Sequence, residues 1–301
     1  MHKNATSSML PVFFTPRMTA PSQSGSPSPD KPPKVVASWE LLGLPIEILE
    51  PVPVTPAQLC LVHDRRHVED ILACRSMNGF CNRSPQVAAS LPYTSGAMLS
   101  AARHALQTGA AAVAPVSGFH HAGRAHARGF CTFNGLMVTA CVLREEGMVR
   151  DVGILDCDMH EGDGTEDIIG MLGAGTWVRH FTAGAAFHSP RQAPDFLARL
   201  PHLVKAMDGC DLVLYQAGAD QHVDDPLGGF LTTEELRARD AIVFQGLAKL
   251  GIPVAWNLAG GYQTEPDGSI PVILEIHANT SLECVEAFDY GVAPKSNVAA
   301  I

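Results

Sequence analysis

Asp151-Val152-Gly153-Ile154-Leu155-Asp156-Cys157-Asp158-Met159-His160-Glu161-Gly162-Asp163-Gly164-Thr165 reads as a hydrophobic strand over 151–155. The strand ends in alternating carboxylate and imidazole groups and then turns through glycines into a helix. In an extended segment, residues two apart point to the same side. Asp156, Asp158 and His160 are therefore expected on one face at the carboxyl end of a strand, where open α/β sheets place their ligand crevices. An imidazole and a carboxylate on such a ledge suit a borderline divalent cation such as zinc.

Outward from this stretch, apolar segments alternate with amphipathic ones. Strands are expected at 111–116, 152–156, 176–181, 212–216 and 253–258, and helices at 135–146, 164–172, 194–207, 233–250 and 271–287. Such alternation implies an α/β fold: a parallel sheet covered on both faces by right-handed crossovers. Ahead of it, Val12-Phe13-Phe14 reads as a strand, 21–34 as a Pro/Ser-rich loop, and 35–42 and 56–74 as helices. The helix over 56–74 carries His63 and His67 four apart, read as a partly exposed face and not as a metal clip. Residues 78–92 read as a loop and 95–107 as an alanine-rich helix. One domain over 1–301 is expected.

The formal charge of −10, with no basic run longer than Arg65-Arg66, argues against a grip on nucleic acid, which needs a basic face. Eight cysteines without a C-x-x-C pair read as reduced thiols. Residues 1–20 lack an apolar signal core, and nothing later runs to eighteen apolar residues. A cytoplasmic chain with no membrane partner is expected.

Each unusual polar cluster follows one of the strands. After 111–116 come Ser117-Gly118-Phe119-His120-His121-Ala122, and after 212–216 come Gly218-Ala219-Asp220-Gln221-His222-Val223-Asp224-Asp225-Pro226. After 253–258 come Ala259-Gly260-Gly261-Tyr262. With the ledge at 156–163, four strand ends converge on one site.

These segments, with Gly129-Phe130-Cys131-Thr132-Phe133-Asn134, resemble the zinc-dependent histone deacetylase superfamily, whose members include deacetylases of acetylated polyamines. The resemblance runs in order from about Ala111 to Tyr262. It implies the arginase/deacetylase-like three-layer fold, with a central, mostly parallel sheet. It also implies Asp158, His160 and Asp225 as metal ligands, for zinc or for ferrous iron, which suits the same donors. His120 and His121 match the tandem histidines that handle the protons, and Asp156 and Asp163 the carboxylates that orient them. Tyr262 matches the phenol that stabilises the oxyanion, and Phe130, with Gly129, Gly260 and Gly261, the substrate tunnel. Cys131 and Cys157 read as small buried residues.

The match departs in places. Relatives often hold potassium through Asp156, Asp158 and a serine on the next strand. Here that strand reads Trp177-Val178-Arg179-His180-Phe181-Thr182, with Arg179 or His180 expected near the serine position. A fixed cationic side chain is expected to replace the ion, unless the ion binds elsewhere. The N-terminal histidine-proline-glutamate signature is absent, Ser26-Pro27-Ser28-Pro29-Asp30-Lys31 standing in that region. Leu227 after Pro226 offers no glutamate gate for polyamines.

The resemblance implies an amidohydrolase that removes an acetyl or other short acyl group from an N-acyl amine. The amine is acyl-lysine in a protein or a small molecule such as an acetylpolyamine, and a homo-oligomer is allowed. A two-metal ureohydrolase would need D-x-H-x-D, and Gly162 stands where its last carboxylate belongs. A non-catalytic acyl-binding module would be expected to have lost a ligand, a tandem histidine or Tyr262, and all are present.

Overall fold

The computed structural model describes residues 9–21, 26 and 28–291; residues 22–25 and 27 of the Pro/Ser-rich loop, and 1–8 and 292–301 at the two ends, lie outside them. Among the described residues, seven strands form one sheet: β1 (Leu10–Phe13), β2 (Ile46–Leu49), β3 (Ala111–Ala114), β4 (Val152–Asp156), β5 (Val178–Thr182), β6 (Leu212–Gln216) and β7 (Val254–Asn257). Their order is β2-β1-β3-β7-β6-β4-β5, and every pairing is parallel.

Period-two alternation sorts the strand side chains onto two faces. Val113, Leu155, Val213, Tyr215, Val254 and Trp256 pack with Trp39, Phe196, Phe244 and Ile273. Those partners come from α1 (Lys31–Leu41), α7 (Ala193–Lys205), α8 (Thr233–Leu250) and α9 (Pro271–Ala287). Ala112, Ala114, Ile154, Leu212 and Leu214 face the other way, against Met98, Val138 and Ile168. These belong to α4 (Pro85–Thr108), α5 (Gly135–Glu145) and α6 (Asp163–Leu172). The result is the three-layer arrangement that the resemblance implied.

Two early segments differ from expectation. The helix expected over 56–74 is two short ones, α2 (Pro56–Leu59) and α3 (Arg65–Leu72), because Asp64 caps a new helix by accepting from the N–H groups of Arg66 and His67. His63 therefore sits in the turn between them, buried and not on an exposed helix face. Its Nε2 accepts from Asn134 N–H at 2.9 Å, which leaves Nδ1–H to donate to the Gly123 carbonyl at 2.9 Å. The loop expected over 78–92 closes early, since Ser84 caps α4 and Pro85 opens it. α4 then runs through Pro92, whose carbonyl accepts from Val54 N–H. No helix among the described residues is long and apolar enough to cross a membrane.

Candidate active site

In register, Asp156 lies beside Gln216 and Thr182, Gln216 beside Asn257, and Asn257 beside Ala114. The loops that leave β3, β4, β6 and β7 therefore open at one edge of the sheet. The strand stops at Asp156, so the ledge beyond it is not extended. Asp158 N–H donates to Asp156 Oδ1 at 3.2 Å and His160 N–H to Asp158 Oδ1 at 2.9 Å. Successive side-chain-to-backbone turns, not strand alternation, bring the three residues together.

Two His–Asp pairs stand side by side. His120 Nδ1 meets Asp156 Oδ2 at 2.7 Å, and His121 Nδ1 meets Asp163 Oδ1 at 2.9 Å, with the rings 4.1 Å apart. Gln216 fixes the first pair, donating to Asp156 Oδ1 and accepting from Phe119 N–H. At the start of α6, Thr165 N–H donates to the His120 carbonyl at 2.9 Å. Such an approach demands glycine at 164, where a Cβ would lie 2.6 Å from that same oxygen. Asp163 also pairs with Arg128, a partner that the sequence did not announce.

Gly129 and Phe130 both take positive φ, +55° and +63°. A Cβ on Gly129 would lie 2.4 Å from the His121 ring. The turn swings Phe130 opposite Tyr262, ring centres 5.6 Å apart, with Phe80 on its far side at 5.8 Å. A cavity of about 10 Å³ is lined by His120, Gly129, Phe130, Asp158, Gly260 and Tyr262, among others.

Asp158, His160 and Asp220 bring one donor atom each within 4.8 Å of one another. His160 Nδ1 lies 3.1 Å from Asp158 Oδ1 and 3.0 Å from Asp220 Oδ2. Two carboxylates converging on one imidazole nitrogen fit a divalent cation in charge and donor type. Asp225 stands outside this tightest group; its oxygens accept from Leu227 N–H at 3.0 Å and Tyr262 N–H at 2.8 Å. It thereby ties the Asp-Pro loop to the tyrosine turn. Asp220 lies in the polar cluster after β6 but outside the expected ligand set, and the structure brings it into this group. Lys31 carries no expected role either: it is fully buried, and its ammonium donates to the carbonyls of Gly260 and Ala259.

The electrostatics separate the two histidines. Burial lowers the His120 pKa, but Asp156 and Asp158 outweigh it and raise it to about 9. Burial, then the neighbouring His120, lowers His121 to about 4. Hydrogen bonds to Asp158 and Asp220 raise His160 to about 10. Burial, then Asp158, raises Asp220 to about 7. Burial, with Asp220 and Asp158 nearby, pushes the Tyr262 phenol far above its usual value. Burial pushes the Cys131 and Cys157 thiols up to about 12, which fits inert packing residues.

Thr182, not Arg179 or His180, is the residue paired with Asp156. Register places Arg179 opposite Gly153, and its guanidinium donates to the Ala206 and Asp208 carbonyls, away from the site. His180 Nδ1 meets Glu166 at 2.5 Å. Arg179 therefore does not take the ion's place beside Asp156.

Residues 29–171 match the histone deacetylase domain family. An uncharacterised protein of Picosynechococcus sp. is 31% identical over 162 residues, covering 48% of this chain and 54% of that protein. The chain thus spans about half the length of this curated relative. Acetylpolyamine amidohydrolase 1 of Pseudomonas aeruginosa is 26% identical over 185 residues, half of each protein. Among solved structures, the HD domain of HDA15 superposes with a TM-score of 0.75 at 21% identity, covering 96% of this chain and 92% of that one. The histone deacetylase domain family thus matches just under half of this chain in sequence, and the fold of the HDA15 HD domain matches across the whole sheet.

Proposed function

We propose that this chain is a metal-dependent deacylase that cleaves the amide bond of an N-acylated amine, with residues 1–301 forming one catalytic domain. The observation that carries the reading is the meeting of both His–Asp pairs, the carboxylate–imidazole cluster and Tyr262 at one sheet edge. Asp158 and His160 would hold zinc or ferrous iron together with a second carboxylate. The family resemblance gives that place to Asp225, and proximity offers Asp220 as its rival. When bound, such a cation polarises the acyl carbonyl and acidifies water.

The chain's own residues divide the remaining work. His121, neutral at ordinary pH, has Nδ1–H directed at Asp163, which leaves Nε2 free to take a proton from the attacking water. His120 keeps its proton, held by Asp156, and its charge favours the developing oxyanion. Tyr262 stays protonated and donates a hydrogen bond to that oxyanion. The proton on His121 then passes to the amine nitrogen as the C–N bond breaks, giving an amine and a carboxylic acid, which leave as ammonium and carboxylate at neutral pH. Phe130 and Tyr262 form the walls against which an acylated side chain lies.

A small-molecule or protein-borne acyl amine fits the same walls, and the named relatives include an acetylpolyamine amidohydrolase. The test is hydrolysis of an acetyl-lysine peptide, its trifluoroacetyl analogue and N-acetylputrescine by zinc-loaded protein. Cleavage should vanish with chelator, and Tyr262→Phe should lower kcat about 10²–10³-fold. Zinc-replete wild type that cleaves none of them and binds no hydroxamate would sink the proposal.

A further inference from the structure

Beneath the ledge, α8 buries a guanidinium and a carboxylate side by side, Arg239 at 0% and Asp240 at 1% exposure. Burying such a pair is a poor way to gain stability. Each ion loses several kcal/mol of hydration, and well-packed apolar replacements are often neutral or better. What Arg239 touches points to another role. Its Nη1 donates to the Cys157 carbonyl at 3.2 Å, the Gly218 carbonyl at 2.6 Å and Gln221 Oε1 at 2.9 Å.

Cys157 immediately precedes Asp158, and Gly218 stands two residues before Asp220. Gln221 Nε2 in turn lies 3.4 Å from the Asp158 carbonyl. One planar group therefore spans the ends of β4 and β6, the two segments that carry the carboxylates and imidazole of the site. Asp240 holds that plane, with Oδ1 at 2.9 Å from both Nε and Nη2 of Arg239. Asp240 is itself fixed by Tyr215 and by Thr280, whose hydroxyl donates to it at 2.6 Å. The anchor reaches from β6 across to α9.

We propose that Arg239, oriented by Asp240, is a positioning residue: it sets the spacing between the Asp158–His160 segment and the Asp220–Asp225 segment, and through it the affinity for a divalent cation. The inference rests on the metal-site reading above. Its distinctive consequence is that metal affinity and fold stability separate. A lysine keeps the charge but lacks the planar group that holds Nη1 on two carbonyls and an amide while Nε and Nη2 face Asp240.

The experiment compares wild type, Arg239→Lys and the double variant Arg239→Met/Asp240→Asn. Asparagine retains hydrogen-bonding capacity towards Tyr215 and Thr280 without leaving a buried unpaired charge. Zn²⁺ affinity is read by competition with a chromophoric chelator. Tm and amide exchange over 157–161 and 218–221 are read on the metal-free protein. The double variant should lose Zn²⁺ affinity about 10–100-fold, the range seen when groups supporting metal ligands are removed. Its Tm should fall only modestly, because relief of the buried ion pair offsets the carbonyls left without a donor, while exchange at both strand ends quickens. Arg239→Lys should recover part of the affinity.

A double variant that binds Zn²⁺ within about twofold of wild type would overturn the proposal, whatever its Tm, and leave the metal site standing. If the double variant does not fold, unchanged Zn²⁺ affinity in Arg239→Lys has the same force. A wild type that takes up no Zn²⁺ would overturn the metal-site reading itself, and this inference with it.

Discussion

Asp220 and Asp225 lie five residues apart on one loop and use their oxygens differently. Asp220 accepts from Met159 N–H at 3.1 Å and faces His160 at 3.0 Å, so both its oxygens are engaged within the ledge. Each oxygen of Asp225 takes one backbone N–H and neither is hydrogen-bonded to His160, so both keep a lone pair for a cation. On that accounting Asp225→Asn should weaken Zn²⁺ binding more than Asp220→Asn, whose main effect should be to loosen His160. Affinities of the two isosteric variants give the ranking, and the reverse order would hand the ligand role to Asp220. The sequence shows the residues whose chemistry is announced by motif: the tandem histidines, Asp156, Asp158, His160, Asp163 and Tyr262 fall at one sheet edge as their motifs imply. The roles of Asp220, Gln216 and Lys31 carry no motif, because they depend on which strands become neighbours. A buried lysine 228 residues from the carbonyl it touches leaves no local pattern.

Elements hold the site through their ends. Asn134 caps α5 by accepting from Met137 N–H at 3.1 Å. The same side chain donates to the Ala122 carbonyl at 3.2 Å and to Thr165 Oγ1 at 2.9 Å. One amide thus joins α5, the loop carrying the tandem histidines and the first turn of α6 that carries Asp163. Replacing an N-cap costs about 0.5–2 kcal/mol, and leaving buried partners unsatisfied adds about 1–3 kcal/mol. Asn134→Ala should therefore destabilise by about 2–4 kcal/mol in urea denaturation and lower kcat as well, since both His–Asp pairs lose a fixed support. A variant with wild-type stability would show that water or neighbouring groups replace the cap. Periodicity located most helices and strands to within a residue or two, as at 233–250 and 212–216. It failed where caps decide: Asp64 splits one expected helix, and Ser84 lengthens another. β2 escaped notice because its four residues, between Pro45 and Pro51, alternate weakly, Ile46 being buried while Glu47 and Ile48 are exposed.

Across the whole molecule, strand order is the feature furthest from sequence. Alternation implies parallel strands, yet β7 lies between β3 and β6 through pairings more than 140 residues apart for β3, and local pattern carries no trace of that order. The same burial that builds the three layers also sets how stability responds to pH. Burial, then His67, lowers His63 to about 3, and burial lowers His277 well below its usual value. Unfolded, both would titrate near 6.5. Below that pH the unfolded chain binds protons that the folded chain refuses, so the stability present above about 6.5 drains away as pH falls. Asp220, raised to about 7, opposes this with a single proton, fewer than the two histidines together. Above 6.5 the sign reverses, because His120 and His160 stay protonated in the fold to about 9 and 10 and lose that advantage as pH rises. Each proton difference is worth about 1.4 kcal/mol per pH unit. Metal-free protein should therefore be most stable near pH 6–7 in urea titrations and weaken on both sides. Zn²⁺ should relieve the alkaline loss, since a deprotonated His160 is what a cation requires. A metal-free stability that climbs steadily from pH 6.5 to 9 would contradict the protonated His120–Asp156 and His160–Asp158 pairs on which this account depends.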